Sequence, residues 1–181
     1  MLLKRERLTP DTEIETIIIG LGNPLRRDDG IGVVIVETLK ESSRLPEQIT
    51  VIDAGTSDLE ALLLMQGYQR VFLIDAADFG GEPGDWRCIS LDDISFIPDV
   101  LTKYGSFHNA GLRDAIALGQ TLEILPKEIF IYAIQPQDTQ VSVGLSKPNS
   151  VVVGEIMEDL LLRLGREQNL DRSSIEQKAE E

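Results

Sequence analysis

Short apolar runs alternate with amphipathic helical patterns along most of this chain. The runs that predict strands lie at 16–21, 49–53, 70–75, 85–91 and 128–134, and the helical patterns lie at 30–41, 59–65, 109–122 and 149–164. Such alternation is typical of strand–helix units whose strands pair in parallel, with helices on both faces of the sheet. The segment GEPGDW before the fourth run indicates one antiparallel strand. The sequence therefore predicts an α/β fold, a three-layer αβα sandwich around a mixed, mostly parallel sheet.

The length of 181 residues favours a single domain. We expect this domain to span 14–166, after a polar lead-in at 1–13. The polar segment 167–181 has few apolar residues and predicts a disordered tail. No apolar run approaches the roughly 20 residues that span a bilayer, and the first residues lack the apolar stretch of a signal peptide. We therefore expect no membrane partner.

The charged and sulfur-containing residues restrict the class of function further. The formal net charge is −14, which makes a nucleic-acid-binding surface unfavourable because phosphate binding needs clustered Lys and Arg. Cys88 is the only cysteine, so no internal disulfide can form, and a reducing cytoplasm is the expected location. No G-x-S-x-G motif indicates a serine hydrolase, and Cys88 lies in a strand pattern, where a structural thiol is expected.

The segment GLGNPLRRDDGIG, at 20–32, puts two adjacent aspartates between a buried strand and a helix. Leu25 stands where a dinucleotide-binding G-x-G-x-x-G needs its third glycine, and no Walker lysine follows. Acidic residues are favoured near helix N-termini, which accounts for Asp29 as well when it is taken alone, and we expect Asp28 to hold the loop and the helix start in this way. We expect Gly30 and Gly32 to keep the first helical turn bare, so that a substrate chain can approach.

Other polar groups also lie just past predicted strand ends, where ligands bind in open α/β sheets. Asp75 ends the apolar run RVFLI, and a buried carboxylate there would cap a turn, pair with a cation or bind a metal. His108, the only histidine, lies in a loop before a helix, and taken alone it is more often an ordinary hydrogen-bonded loop residue than a ligand. Asp29, Asp75 and His108 together would suit a borderline divalent ion such as nickel or zinc.

Four motifs appear in order between about Ile17 and Leu164: GLGNPLRRDDGIG, DAGT at 53–56, FLIDAADFGGEPG at 72–84 and HNAGL at 108–112. Together they resemble the maturation endopeptidases of nickel–iron hydrogenases. The resemblance implies a five-stranded mixed sheet of the phosphorylase/hydrolase type. It also implies removal of a C-terminal extension from the precursor of a hydrogenase large subunit after nickel has been loaded.

The resemblance also implies roles for particular residues. Asp29, Asp75 and His108 fall on the metal-contacting positions, and the same three are our candidates for catalytic groups. Some relatives carry Glu where this chain has Asp29. The family segment for substrate recognition falls on Asp53, Ala54, Gly55 and Thr56. Nickel would arrive in the substrate, zinc or cadmium could replace it in crystals, and a monomer is expected.

Two other functions compete with this interpretation. GLGNP also resembles the opening of peptidyl-tRNA hydrolases, but residues 25–32 do not continue as in that family, and the acidic balance disfavours tRNA. The chain could also be a metal-dependent chaperone that binds the hydrogenase precursor without cutting it. The sequence leaves that second alternative open.

Overall fold

A computed structural model describes the backbone of residues 15–91, 105–106 and 111–179, and the side chains of 15–91 and 111–165. The strands are β1 Thr16–Gly20, β2 Thr50–Asp53, β3 Arg70–Asp78, β4 Trp86–Ser90, β5 Gly105–Ser106 and β6 Glu128–Ile134. The helices are α1 Ile31–Lys40, α2 Asp58–Leu64, α3 Gly111–Thr121 and α4 Lys147–Ala179, and a 3₁₀ turn at Arg27–Gly30 leads into α1.

The strands form one mixed sheet in the order β2-β1-β3-β6-β4. β1, β2, β3 and β6 run parallel to their neighbours, while β4 pairs antiparallel with β6. The two-residue β5 pairs antiparallel with the far end of β3, off this main path. The predicted five-stranded, mostly parallel sheet and its antiparallel strand are therefore confirmed.

Helices cover both faces of the sheet, because side chains along a strand point alternately to opposite faces. In β3, Val71 and Leu73 belong to the apolar cluster formed with α2 and α3. The neighbouring Phe72 and Ile74 belong to the cluster formed with α1 and α4. All four side chains are fully buried, so the central strand is apolar on both faces, as a parallel strand between helix layers requires. The three-layer prediction is confirmed.

β3 is longer than predicted, which changes the position of Asp75. The sequence predicted that the strand ends at Asp75, but Asp75 pairs with Ala133 of β6, and Ala77 pairs with Ser106 of β5. The polar residue did not end the strand, because partners on β6 and β5 supply further backbone hydrogen bonds. Asp75 instead lies one residue past the last β1–β3 pair, Gly20 with Ile74.

α4 also differs from the prediction, since it continues through most of the segment predicted as a disordered tail. Residues 167–179 read EQNLDRSSIEQKA, which contains no glycine or proline and many good helix formers. The prediction of disorder relied on the polarity of this segment, but polarity shows only that the segment has few apolar side chains to bury and does not exclude a helix. In the described part of the chain, no helix has the length and apolarity that crossing a membrane requires.

Candidate functional site

The carboxyl ends of β1 and β2 and the middle of β3 meet around one short segment, Gly20–Leu21–Gly22. The Gly20 carbonyl accepts a hydrogen bond from the Ala54 amide at 3.0 Å, and the Gly22 amide donates to the Gly55 carbonyl at 2.7 Å. On the other side, the Leu21 amide donates to the carbonyl of Ile74 at 2.9 Å. These bonds hold the segment after β2 and the middle of β3 on either side of the same stretch of backbone.

Two buried carboxylates flank that stretch of backbone. Asp29, in the 3₁₀ turn, is 0 % exposed, and Asp75 is 2 % exposed. Asp29 Oδ2 accepts a hydrogen bond from the Asn23 amide at 3.2 Å. Asp75 directly follows Ile74, whose carbonyl is bonded to Leu21. Perturbed or buried ionisable groups cluster at functional sites, so these two acids are candidates for a functional role.

Glycines allow the 3₁₀ turn and α1 to approach this edge closely. A Cβ on Gly22 would lie 1.8 Å from the Asp29 carbonyl oxygen, and the φ of Gly22 is +122°. A Cβ on Gly32 would lie 2.2 Å from the Ile74 carbonyl oxygen and 2.4 Å from that of Leu21. The expectation that Gly30 and Gly32 leave an open surface for substrate is therefore wrong. Both glycines are buried, because backbone packs where their side chains would be.

His108, the third predicted metal ligand, lies outside the described residues. The nearest described residues before and after it are Ser106, which pairs with Ala77 of β3, and Gly111, which begins α3. A Cβ on Gly111 would lie 2.0 Å from Asp58 Oδ2 at the start of α2. Among the described residues, no three His, Cys, Asp or Glu side chains are close enough together to hold a metal ion.

Asp28 has a structural role, as its place before a helix predicted. Its carboxylate is 0 % exposed and accepts three backbone hydrogen bonds, from the amides of Gln137 at 2.9 Å, Asp138 at 3.0 Å and Ser146 at 2.7 Å. Burial on its own raises the pKa of Asp28, but the hydrogen bonds from Ser146, Asp138 and Gln137 outweigh it and lower the pKa below its ordinary value of 3.8. Asp28 therefore fastens the turn that carries Asp29 to the loop before α4.

The segment Asp53–Thr56 forms a turn at the same edge of the sheet. Asp53 and Thr56 are exposed, and Asp53 Oδ1 accepts a hydrogen bond from the Gly55 amide at 2.7 Å. Gly55 has a φ of +57° and would have open space around a Cβ. The next residue, Ser57, caps α2 by accepting a hydrogen bond from the Glu60 amide. The turn is accessible and firmly attached, as a peptide contact requires.

Gln135 has a role at this edge that the sequence analysis did not find. The side chain is 8 % exposed, and its Oε1 accepts hydrogen bonds from the amides of Phe79 at 3.0 Å and Gly81 at 3.1 Å. Its Nε2 donates to Asp78 Oδ1 at 3.2 Å. One amide group thus holds the loop that follows β3. The signal was a polar residue directly after the β6 run, which indicated only the end of a strand.

Cys88 is half-buried in β4, and burial raises the pKa of its thiol. The group is therefore protonated at neutral pH and is not an activated nucleophile. This fits the prediction of a structural thiol.

The architecture is that of the hydrogenase maturation endopeptidases. The solved structure of the hydrogenase maturating endopeptidase HybD from Escherichia coli superposes with a TM-score of 0.74 at 25% identity, covering 84% of this chain and 93% of that one. The model of the hydrogenase maturation protease family matches residues 33–162, and the chain therefore belongs to that family. The predicted family resemblance is confirmed, which decides against the peptidyl-tRNA hydrolase alternative.

Two relatives known by sequence carry names from hydrogenase formation. The expression/formation protein HupD of Rhodobacter capsulatus is 31% identical over 140 residues, which cover 77% of this chain and 65% of that protein. HoxM of Azotobacter vinelandii is 30% identical over 124 residues, which cover 68% of this chain and 59% of that protein. The chain thus spans somewhat less than two thirds of the length of these relatives.

Proposed function

We propose that this chain is an endopeptidase that removes the C-terminal extension from the large-subunit precursor of a [NiFe] hydrogenase, with nickel in the precursor as the recognition element. The observation that carries the proposal is the pair of buried carboxylates, Asp29 and Asp75, on either side of the Leu21–Gly22 backbone. Family membership supplies the class of reaction. We also propose that the protein works in the cytoplasm as a monomer.

Asp29, Asp75 and His108 are the proposed ligands to the nickel that the precursor brings. Carboxylate and imidazole groups suit a borderline divalent ion. His108 is two residues along the chain from Ser106, which limits its distance from Ser106 to about 7 Å. Ser106 pairs with Ala77, two residues from Asp75 on β3, so the chain is long enough to bring the imidazole to this edge.

Three protein ligands leave positions open for the groups that hold nickel in the precursor. A precursor without nickel would lack these contacts and would dock weakly, so cleavage would wait until loading is complete. Zinc or cadmium would take the same donors in crystals. When bound, the ion would supply Lewis acidity beside the scissile carbonyl. Asp53 or Asp75 is the candidate general base that would accept a proton from the attacking water.

The exposed turn Asp53–Thr56 is the proposed contact for the peptide chain of the precursor. The turn lies beside Gly20–Gly22, opposite the side held by Ile74, so a chain crossing the buried acids would also cross the turn. Its accessible Asp53 and Thr56 offer hydrogen-bond acceptors and a donor to an extended peptide.

The test incubates the protein with nickel-loaded or nickel-free precursor and measures the mass of the large subunit before and after incubation. We expect Asp29→Asn, Asp75→Asn and His108→Ala each to slow cleavage of loaded precursor by about 100-fold or more, since loss even of groups that only support a metal ligand costs 10–100-fold. Glu37→Gln removes a carboxylate from the exposed face of α1 and serves as the control that keeps full activity.

Two outcomes would contradict the proposal. Undiminished processing by His108→Ala would remove the metal-binding role. If the protein binds the loaded precursor but the mass of the precursor does not fall, the chaperone alternative is favoured, because only a protease shortens its substrate.

A further inference from the structure

The end of β3 extends past the strands that pair with it along most of its length. The last residue of β3 that pairs with β1 is Ile74, while the strand continues to Asp78. Beyond Ile74, β6 pairs as far as Ala76, and the two-residue β5 pairs with the last two residues. Asp75 therefore begins a strand end that has fewer strand partners, among the described residues, than the rest of β3.

The residues that follow β6 limit its pairing with β3. The Gln135 amide donates to the Asp85 carbonyl at 2.8 Å, and the Gln135 carbonyl accepts from the Gly84 amide at 2.9 Å. Both partners directly precede β4, so the backbone of Gln135 is bonded on the side of β4. The next residue is Pro136, which has no amide hydrogen to donate. The backbone therefore offers no N–H donor to β3 at either residue.

The Gln135 side chain bonds the end of β3 in place of the backbone. Its Nε2 donates to Asp78 Oδ1 at 3.2 Å, and its Oε1 accepts from the amides of Phe79 at 3.0 Å and Gly81 at 3.1 Å. Because two N–H donors face one atom and a carboxylate oxygen faces the other, the partners fix the orientation of the amide. One buried side chain thus bonds both the last residue of β3 and the loop after it.

Asp75 lies between two fixed points of the backbone. Before it, the Ile74 carbonyl accepts a hydrogen bond from the Leu21 amide at 2.9 Å. After it, Gln135 holds Asp78, the last residue of the same strand. A change in the direction of the strand end would therefore move the Asp75 carboxylate. A displacement of about 1 Å in a reacting group can slow a reaction by about 100-fold.

We infer that Gln135 is a positioning residue for the cleavage reaction, because it holds the end of β3 and, through that strand, the place of the Asp75 carboxylate. Gln135 acts through Asp75 and touches neither the precursor nor its nickel. The inference rests on the proposed function, in which Asp75 is a ligand to nickel and a candidate general base. A glutamine that only anchored the loop would affect stability alone, and this difference can be measured.

The variant Gln135→Glu changes one hydrogen bond and keeps the other two. One oxygen of the glutamate still accepts from Phe79 and Gly81, but the other faces the Asp78 carboxylate, and like charges repel there at neutral pH. With nickel-loaded precursor we expect kcat to fall by about tenfold, as for other groups that support a reacting residue, while KM changes by less than about threefold. Hydrogen exchange at the amides of 76–78, measured without precursor, should be about tenfold faster, because the strand end opens more easily.

The double variant Gln135→Glu/Asp78→Asn restores the contact with donor and acceptor exchanged, since the NH₂ group of the asparagine can donate to the glutamate. We expect its kcat to lie within about threefold of that of Asp78→Asn alone, because the two changes compensate at one contact. If the double variant remains as slow as Gln135→Glu, the contact with Asp78 does not place Asp75 and the inference is overturned.

Two controls separate positioning from charge and from stability. Gln120→Glu makes the same change of charge on the exposed surface of α3 and should keep the kcat of the unchanged protein. Glu128→Gln removes the charge that pairs with the buried Arg70, which weakens the same two strands, β3 and β6, at their opposite ends. It should lower the midpoint of thermal unfolding while kcat changes by less than about twofold.

The outcomes separate this inference from the proposed function. If the unchanged protein cleaves loaded precursor and Gln135→Glu matches Gln120→Glu in kcat, the inference is overturned while the proposed function stands. The inference is also overturned if Gln135→Glu and Glu128→Gln lose kcat in the same proportion to their loss of thermal stability, because Gln135 then only stabilises the fold. If the unchanged protein does not cleave, the proposed function fails and the inference fails with it. Unchanged hydrogen exchange at 76–78 in Gln135→Glu overturns the inference whatever the cleavage result.

Discussion

Replacing Asp28 by asparagine tests how the turn that carries Asp29 is held in place. The carboxylate accepts two amide hydrogen bonds at Oδ2, from Gln137 and Asp138, and one at Oδ1, from Ser146. The amide of asparagine can accept at one position only, and its NH₂ group would face an N–H donor at the other. The variant therefore loses at least one hydrogen bond to a charged group and leaves buried donors opposed.

A hydrogen bond to a charged group contributes about 1.5–3 kcal/mol, and a buried donor without a partner costs about 1–3 kcal/mol. Since these two effects overlap, we expect Asp28→Asn to lower the free energy of unfolding by about 2–5 kcal/mol. For a chain of this size that corresponds to roughly 5–15 °C in the unfolding midpoint. Urea unfolding followed by circular dichroism, with a parallel thermal scan, measures both quantities.

The pH dependence gives an independent check. The pKa of Asp28 is lowered in the folded state, so its stabilisation is fully present above the ordinary value of 3.8 and is lost as the pH falls through the folded-state value. The difference between the unchanged protein and Asp28→Asn should therefore be constant near neutral pH and shrink below about pH 3.8. Asp114→Asn, on the exposed face of α3, is the control and should change stability by less than about 0.5 kcal/mol. Equal stabilities for Asp28→Asn and Asp114→Asn would refute the reasoning.

Three further predictions concern packing, capping and the thiol. Gly32→Ala should destabilise the protein by about 3 kcal/mol or more in urea unfolding, because its Cβ would overlap two backbone carbonyl oxygens that have no room to move; a change below the 1 kcal/mol scale would contradict this packing. Ser57→Ala should lower the free energy of unfolding by about 1 kcal/mol through loss of the α2 cap, and Ser57→Gly by only a few tenths. Cys88 should react with a thiol reagent at neutral pH more slowly in the native protein than in guanidinium, since burial raises its pKa; equal rates would refute that account.

Most of the fold could be predicted because strand and helix patterns are local. The β6 run was predicted with the bounds that the structure has, and α1 and β4 differ by one residue at each end. Asp75 was placed at a strand end because a carboxylate usually interrupts an apolar run. The strand continues because Ala133 and Ser106 lie beside it, and neither neighbour can be read from the local pattern.

The candidate site was predictable in its residue types and not in its connections. Adjacent acids after a glycine-rich turn indicated Asp28 and Asp29, and only the family resemblance assigned a ligand role to Asp29. The amides of Gln137 and Ser146 donate hydrogen bonds to the Asp28 carboxylate across 109 and 118 positions of the chain. A pattern of neighbouring residues cannot predict contacts at that separation. The roles of Gln135 and of the buried Gly32 also depend on neighbours from distant segments.

The sequence by itself determined the alternation of strands and helices, the antiparallel strand and the acidic pair before α1. These features follow from periodicity and from the cost of burying charge, which act over a few residues. Only the tertiary structure decided which strand ends meet, how far β3 runs, and that Gln135 bonds the last residue of β3. Those contacts form only when segments that are distant in the chain pack together. The free energy of packing depends on which residues are neighbours in space and not on their order along the chain.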